Sequence, residues 1–312
     1  MNVLFIGSGN SKRGISPAVQ NQLNSLQPFF KKIDFHPIQG KGFISYFKNI
    51  KPLRKKIKNN HYDIVHAHYS LSGFVAALAG AKPLVVSLMG SDVKEKKISK
   101  FLIKFFHWFF WDMTIVKSID MKNKLGLTDI QVIPNGINLE HFKPQDKSNA
   151  QKKLNWDPSY KHILFAADPK RYEKNFSFAN NTILKLNRSY KIKLHTLVDI
   201  PYELIPFYYN GSDVVILTSL WEGSPNVIKE AMACNTPVVS TNVGDVKWLL
   251  NGVDGCFISD FDPESFYQHL KMALTFAHKN GKTNGREKLI SLGLDETTIS
   301  NQILNLYKEV LA

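Results

Sequence analysis

The stretch LTSLWEGSPNVIKEAMACNTPVVST, residues 217–241, places two carboxylates on either side of a helix start. DVVILTS (213–219) is apolar enough for a buried strand, and TPVVST (236–241) for the next one. Between them Ser224 suits an N-cap, and Pro225 suits the first helical position, where its missing N–H costs nothing. The spacing predicts a helix from Pro225 to about Cys234, with Asn235 in the left-handed stop conformation and Pro237 beyond it. Val227, Ile228, Ala231 and Met232 form its buried stripe, Glu230 lies beside that stripe, and Lys229 points away. A helix start presents free N–H groups and a partial positive charge, which suits phosphate. Glu222 sits just before that start, and Glu230 lies roughly 7 Å further along the axis at about 1.5 Å per residue. Neither carboxylate can hold a phosphate, but each can accept hydrogen bonds from hydroxyls beside it. A nucleotide-diphosphate sugar has that layout, with sugar hydroxyls at one end of the diphosphate and ribose hydroxyls at the other. Taken singly, Glu222 could cap a turn and Glu230 could be a solvated helix charge. The strand–loop–Ser-Pro–helix setting favours the site.

The elements that must position this motif alternate along the whole chain. VLFIG (3–7), DIVHAH (63–68), PLVVSLMG (83–90) and MTIVKS (113–118) read as strands, with helical patterns between them. VIPNGINLEHFKPQDKSNAQKK (132–153) is rich in turn signals and polar residues and reads as a linker. HILFAAD (162–168) and KLHTLVD (193–199) then restart the strand pattern. Strands alternating with helices imply parallel sheets covered on both faces. The expected fold class is α/β, with two Rossmann-like doubly wound domains facing a central cleft. The expected divisions are 1–147, 148–295 and a C-terminal helix, 296–312, with Ile299, Ile303, Leu306 and Val310 on one stripe.

Charge is unevenly spread. Residues 1–150 hold 22 Lys+Arg and 9 Asp+Glu, a net of +13, whereas residues 151–312 hold 18 and 17, a net of +1. A basic first half attracts an anionic partner such as phospholipid or a phosphorylated substrate. The cysteines Cys234 and Cys256 provide neither a disulfide framework nor zinc spacing, which fits a reducing compartment. The opening MNVLFIGSGN lacks a basic n-region, and no run of about 18 apolar residues occurs. GSGNSKRGIS (7–16) matches neither G-x-G-x-x-G nor a P-loop. No His, Cys, Asp and Glu cluster has metal-ligand spacing.

EGSPNVIKEAMACNTPVV resembles the E-x7-E motif of the retaining family 4 glycosyltransferases, whose GT-B fold is two Rossmann-like domains. HAHYSLSG (66–73), VVSLMGSD (85–92) and VIPNGINLEHFKP (132–144) extend the resemblance over nearly the whole chain. It implies that Glu222 contacts the transferring sugar, that Glu230 holds the ribose, and that Gly223, Ser224, Pro225, Asn226 and Val227 line the donor. In AADPKRYEKNFSFA it assigns Arg171 and Lys174 to the donor diphosphate, where fixed cations neutralise the charge growing on the leaving group. It lets Gly14 approach the diphosphate or acceptor, and it has the last helix cross back onto the N-terminal domain. Many relatives carry a histidine where this chain has Met89, which leaves His68 and Asp92 as the neighbouring acceptor-side candidates.

KEKKISKFLIKFFHWFFWDM (94–113) joins five lysines to an aromatic run, and YFKNIKPLRKKIKNN (46–60) repeats the basic-plus-apolar theme. Seven aromatics within residues 101–111 would surround a helix and not merely cover one face. Basic helices with Phe and Trp lie in membrane interfaces. The resulting expectation is a retaining, metal-independent glycosyltransferase with no cofactor. It would use a UDP- or GDP-sugar and act on a glycan or lipid-linked acceptor at the cytoplasmic membrane face, with no nucleic-acid partner. The alternatives are a sugar-nucleotide epimerase of the same fold or a non-catalytic nucleotide- or lipid-binding subunit.

Overall fold

The computed structural model describes residues 1–10, 14–40, 43–94 and 97–312. They form two α/β units, residues 1–136 with 296–312, and residues 137–295. The first unit is a parallel sheet of β1 (Asn2–Ser8), β2 (Lys32–Ile38), β3 (Ile64–His68), β4 (Leu84–Ser87), β5 (Met113–Val116) and β6 (Gln131–Val132), in the order β2-β1-β3-β4-β5-β6. The continuous apolar runs of β1, β3 and β4 are buried on both faces, as a sheet with crossover helices requires. β2 is an edge strand and tolerates Pro37, which stands opposite Gly7.

One face of this sheet packs against the helices Ile50–Asn59, Ser70–Leu78 and Lys97–Phe109, through Leu53, Phe74, Val75 and Ile103 over Val65, Val86 and Val116. Gly73 sits where the Ser70–Leu78 helix comes closest to the sheet; a Cβ there would lie 2.9 Å from Val86. From the opposite face His66 bonds the hydroxyl of Tyr307 through Nδ1 (2.5 Å) and that of Ser87 through Nε2 (2.8 Å). The C-terminal helix Glu296–Leu311 is thereby held to the first unit, and Ser300 also bonds Ser25 at 2.9 Å.

The first unit ends at Gly136, ahead of the expected 147. Residues 137–147 belong to the second unit because their backbone groups find partners there. Ile137 N–H donates to the Leu294 carbonyl (2.9 Å), and Gln145 N–H donates to Asn210 Oδ1 (2.8 Å). The Arg286 guanidinium donates to the carbonyls of Phe142 (2.8 Å) and Leu139 (2.9 Å). A turn-rich composition signals a boundary but not which side of it the turns pack on.

The second unit is a parallel sheet of β7 (Lys161–Phe165), β8 (Ile192–Thr196), β9 (Val214–Leu217), β10 (Val238–Thr241) and β11 (Phe257–Ser259), in the order β11-β10-β9-β7-β8. Ile163, Phe165, Val214, Ile216 and Val239 pack beneath Ala179, Ile183, Leu186, Phe266 and Leu270. Central strands of such a sheet end in loops at its carboxyl edge, where open parallel sheets take ligands. No helix among the described residues is long and apolar enough to cross a membrane.

Candidate functional site

The loops at the carboxyl ends of β7 and β9 bring Lys174 and Glu222 together. Lys174 Nζ meets Glu222 Oε1 at 2.5 Å, and both side chains are largely buried. Ser219 Oγ donates to the same carboxylate oxygen at 2.7 Å. Two further bonds clamp the loops together. Thr218 Oγ1 donates to the Lys174 carbonyl (2.9 Å), and Leu220 N–H donates to the Glu173 carbonyl (2.8 Å). The β10 loop closes the other side. Gly244, at φ +58, lies so near the turn that a Cβ would stand 2.6 Å from the Gly223 carbonyl oxygen and 3.0 Å from that of Glu222. Only glycine combines that backbone conformation with that approach.

Helix Asn226–Ala233 follows the turn, with Pro225 as its N-cap and no side-chain capping bond. Ser224 is therefore not the cap that its position suggests; its hydroxyl is buried and makes no hydrogen bond of standard geometry. Glu230 accepts a 2.5 Å hydrogen bond from the Tyr209 hydroxyl. Burial pushes its carboxyl above the usual value, against the pull of Tyr209 and of the Lys229 charge. Lys229 does not point to solvent as expected. It is fully buried, and burial pushes its amine down to about 8 while Asp245 and Glu230 pull it up. Asp245, in the loop after β10, is pushed up to about 6 by burial, opposed by Lys229 and Ser224. The partner that makes a buried lysine tolerable thus comes from the next loop, beyond the reach of helix periodicity.

Arg171 is exposed and turned to Glu173, with Nη2 at 2.5 Å from Oε1. Gly223 is buried and Val227 partly so. In the first unit, Gly14 is exposed at φ +74; residues 11–13 of its loop lie outside the described residues. Asp92 is buried and caps the Ser70–Leu78 helix, with Oδ1 accepting from Ser70 N–H at 2.8 Å and Oδ2 from Met89 N–H. These bonds hold it to the backbone. His68 is buried at the end of β3, its ring stacked on that of His66 at 4.4 Å. Burial and then the Lys117 charge push it down to about 3, so the ring is neutral. Neither of its nitrogens bonds a protein group.

Tyr209, Ser219, Lys229, Asp245 and Gly244 complete the site without having been singled out by spacing. The polar pair Thr218-Ser219 at the end of an apolar strand is the one local signal that could have found any of them. Among the described residues no three His, Cys, Asp or Glu side chains form a group able to hold a metal. A cavity of about 470 Å³, lined by Lys147, Asp213, Thr236 and Lys282 among others, opens at the amino ends of β9 and β10, away from the Glu222 end.

Two family models match in series, Glycosyltransferase Family 4 over residues 21–141 and Glycosyl transferases group 1 over residues 165–275. The chain is 27% identical over 275 residues to the UDP-Gal:alpha-D-GlcNAc-diphosphoundecaprenol alpha-1,3-galactosyltransferase of Escherichia coli, covering 73% of this chain and 70% of that one. It is 28% identical over 221 residues to the putative teichuronic acid biosynthesis glycosyltransferase TuaC of Bacillus subtilis, covering 62% and 57%. Sucrose-phosphate synthase of Thermosynechococcus elongatus superposes with a TM-score of 0.76 at 17% identity, over 99% of both chains. Anabaena Alr3699/HepE, solved with UDP and glucose, superposes with the same score, identity and coverage.

Proposed function

We propose, for a chain that belongs to the family 4 glycosyltransferases of GT-B fold, a retaining, metal-independent transfer from a nucleotide-diphosphate sugar to a glycan or lipid-linked acceptor. The observation that carries this reading is the pairing of Lys174 with Glu222 before the Asn226–Ala233 helix, together with Glu230 inside that helix and held by Tyr209. Glu222 meets the hydroxyls of the transferring sugar and Glu230 those of the ribose. Gly223, Ser224, Pro225, Asn226 and Val227 present the helix start to the diphosphate. Lys174 exchanges Glu222 for a phosphate oxygen as the leaving group gains charge. Arg171 joins it by leaving Glu173, an exchange that costs little because exposed ion pairs contribute only about 0–1 kcal/mol. Gly14, His68, Met89 and Asp92 serve the acceptor side. There His68 offers a neutral ring and Asp92 fixes the backbone beside it.

UDP is the favoured carrier over GDP. The Escherichia coli relative is named for a UDP-galactose donor and a diphosphoundecaprenol-linked acceptor, and HepE was solved with UDP. A lipid-linked acceptor places the enzyme at the cytoplasmic membrane surface, peripherally, through segments 46–60 and 94–113.

The test is thermal stabilisation by UDP, GDP, ADP, CMP and dTDP, with and without magnesium, on the wild type and on Glu230→Ala. The expected result is stabilisation by UDP without metal, lost in the variant, followed by sugar transfer to a diphosphate-linked lipid acceptor. Stabilisation by no nucleotide, or equal stabilisation of the variant, overturns the donor site. Turnover of the sugar nucleotide without acceptor makes the protein an epimerase. Nucleotide binding with no turnover of any kind makes it a binding subunit.

A further inference from the structure

The Lys97–Phe109 helix has two apolar faces, although a helix covering a parallel sheet needs only one. Its inner face is satisfied, with Ile103 buried in the core beside Trp111 and with Leu102 and Phe106 packed against that core. Its outer face carries Phe101, Phe105, Trp108 and Phe109, exposed by 68%, 42%, 63% and 69%. These positions, i, i+4, i+7 and i+8, form one stripe along the helix. Phe105 meets Phe109 at 5.0 Å, Phe110 at 6.0 Å and Phe106 at 5.9 Å, and Trp108 meets His107 at 5.2 Å. Lys100 and Lys104 lie partly exposed on the same helix, and its sequence contains no acidic residue.

The Ile50–Asn59 helix lies in the same layer. Its Leu53 belongs to the same core cluster as Ile103, and Arg54 donates to the Leu78 carbonyl of the helix between them at 2.6 Å. Both helices therefore turn their outer faces away from the same side of the sheet. On that side the Ile50–Asn59 helix exposes Lys51, Lys55 and Lys58, again with no acidic residue, and Phe47 just before it is exposed as well.

From these faces we infer that this layer of the first unit is a docking surface for an anionic lipid bilayer, into which the Phe101–Phe105–Trp108–Phe109 stripe inserts at the headgroup boundary while Lys51, Lys55 and Lys58 bind lipid phosphates. Charge decides the occupant. Large aromatic side chains flanked by lysines that form no ion pair among the described residues match an interface that is apolar below and negative above. A second copy of this chain would bring the same lysines against these. The inference rests on the lipid-linked acceptor of the proposed function and specifies which surface meets the lipid and which lipid charge it prefers.

The experiment is co-sedimentation of the full chain with vesicles of phosphatidylcholine alone and of phosphatidylcholine with phosphatidylglycerol, on three proteins. These are the wild type, Phe101→Ser/Trp108→Ser/Phe109→Ser, and Lys51→Glu/Lys55→Glu/Lys58→Glu. All six positions are exposed, so folding is preserved, and stabilisation by UDP is measured on each protein as the control. The wild type is expected to bind the anionic vesicles, more weakly as salt rises. The aromatic variant is expected to lose at least about tenfold in vesicle affinity. Removing three lysine contacts loses on the order of a hundredfold, at about 1 kcal/mol per lysine. Stabilisation by UDP remains unchanged in all three, which separates failure of the docking surface from failure of the donor site. Wild-type protein that ignores anionic vesicles, or variants that bind them equally, overturns the inference. Wild-type dimers that the aromatic variant converts to monomers also overturn it, and assign the stripe to contacts between copies.

Discussion

Glu222→Gln separates the stability of the second unit from its chemistry. The amide keeps the shape of the side chain and the Ser219 bond at its Oε1 position, and removes only the charge facing Lys174. At 2.5 Å the pair attracts by on the order of 5 kcal/mol at an effective dielectric of about 20, and desolvation of two largely buried ions takes back much of that. Removing one partner is the costly direction, because Lys174 is left buried with its charge unopposed; the expected loss is about 3 kcal/mol. For a unit of 137–295 that lowers the melting temperature by roughly 5–10 °C. The ligand acts in the opposite sense. In the wild type a diphosphate must draw Lys174 away from Glu222, whereas in the variant the lysine is already free to receive it. UDP should therefore raise the melting temperature of Glu222→Gln at least as much as that of the wild type, while sugar transfer falls by tenfold or more. Differential scanning calorimetry with and without UDP, beside a transfer assay, reads all three quantities. A melting temperature within about 1 °C of wild type, against the shift expected per kcal/mol, would refute the energetic coupling of the pair. Loss of the UDP response in the variant would refute the exchange of Glu222 for phosphate at Lys174.

Tyr209→Phe removes a 2.5 Å hydrogen bond to the Glu230 carboxylate, worth about 1.5–3 kcal/mol; titration calorimetry should show UDP affinity weakened by roughly tenfold or more. Gly244→Ala combines φ +58 with a Cβ 2.6 Å from the Gly223 carbonyl oxygen, so the Glu222–Gly223 turn must shift at a cost of about 1–3 kcal/mol. Circular dichroism should find that variant folded, and its sugar transfer should be abolished. Lys229 titrates near 8 in the folded chain against an ordinary 10.5. Between those values the unfolded chain binds more protons, so stability should rise with pH across that window in the wild type. Urea midpoints should show that rise missing from Lys229→Met.

The central strands of the two sheets were legible because burial on both faces writes them as unbroken apolar runs. VLFIG, DIVHAH and DVVILTS need no partner to be recognised. KIDFHPI (32–38) was not, because an edge strand is half solvated and tolerates a proline. The site divides along the same line. Glu222 and Glu230 announce themselves by spacing around one helix start, and Lys174 only through the family resemblance, but the pairing of Lys174 with Glu222 spans 48 residues and is set by two strand ends lying side by side. Lys229 marks the limit more sharply. Helix periodicity assigns it to the solvated face, and on an isolated helix that assignment would hold. The fold overrides it because the β10 loop lays Gly244 against the Glu222 turn and brings Asp245 over the helix, which converts an exposed charge into a buried one with an opposing carboxylate. A buried lysine between the two signature glutamates is thus matched by a carboxylate from the next loop, a pairing that no spacing rule contains.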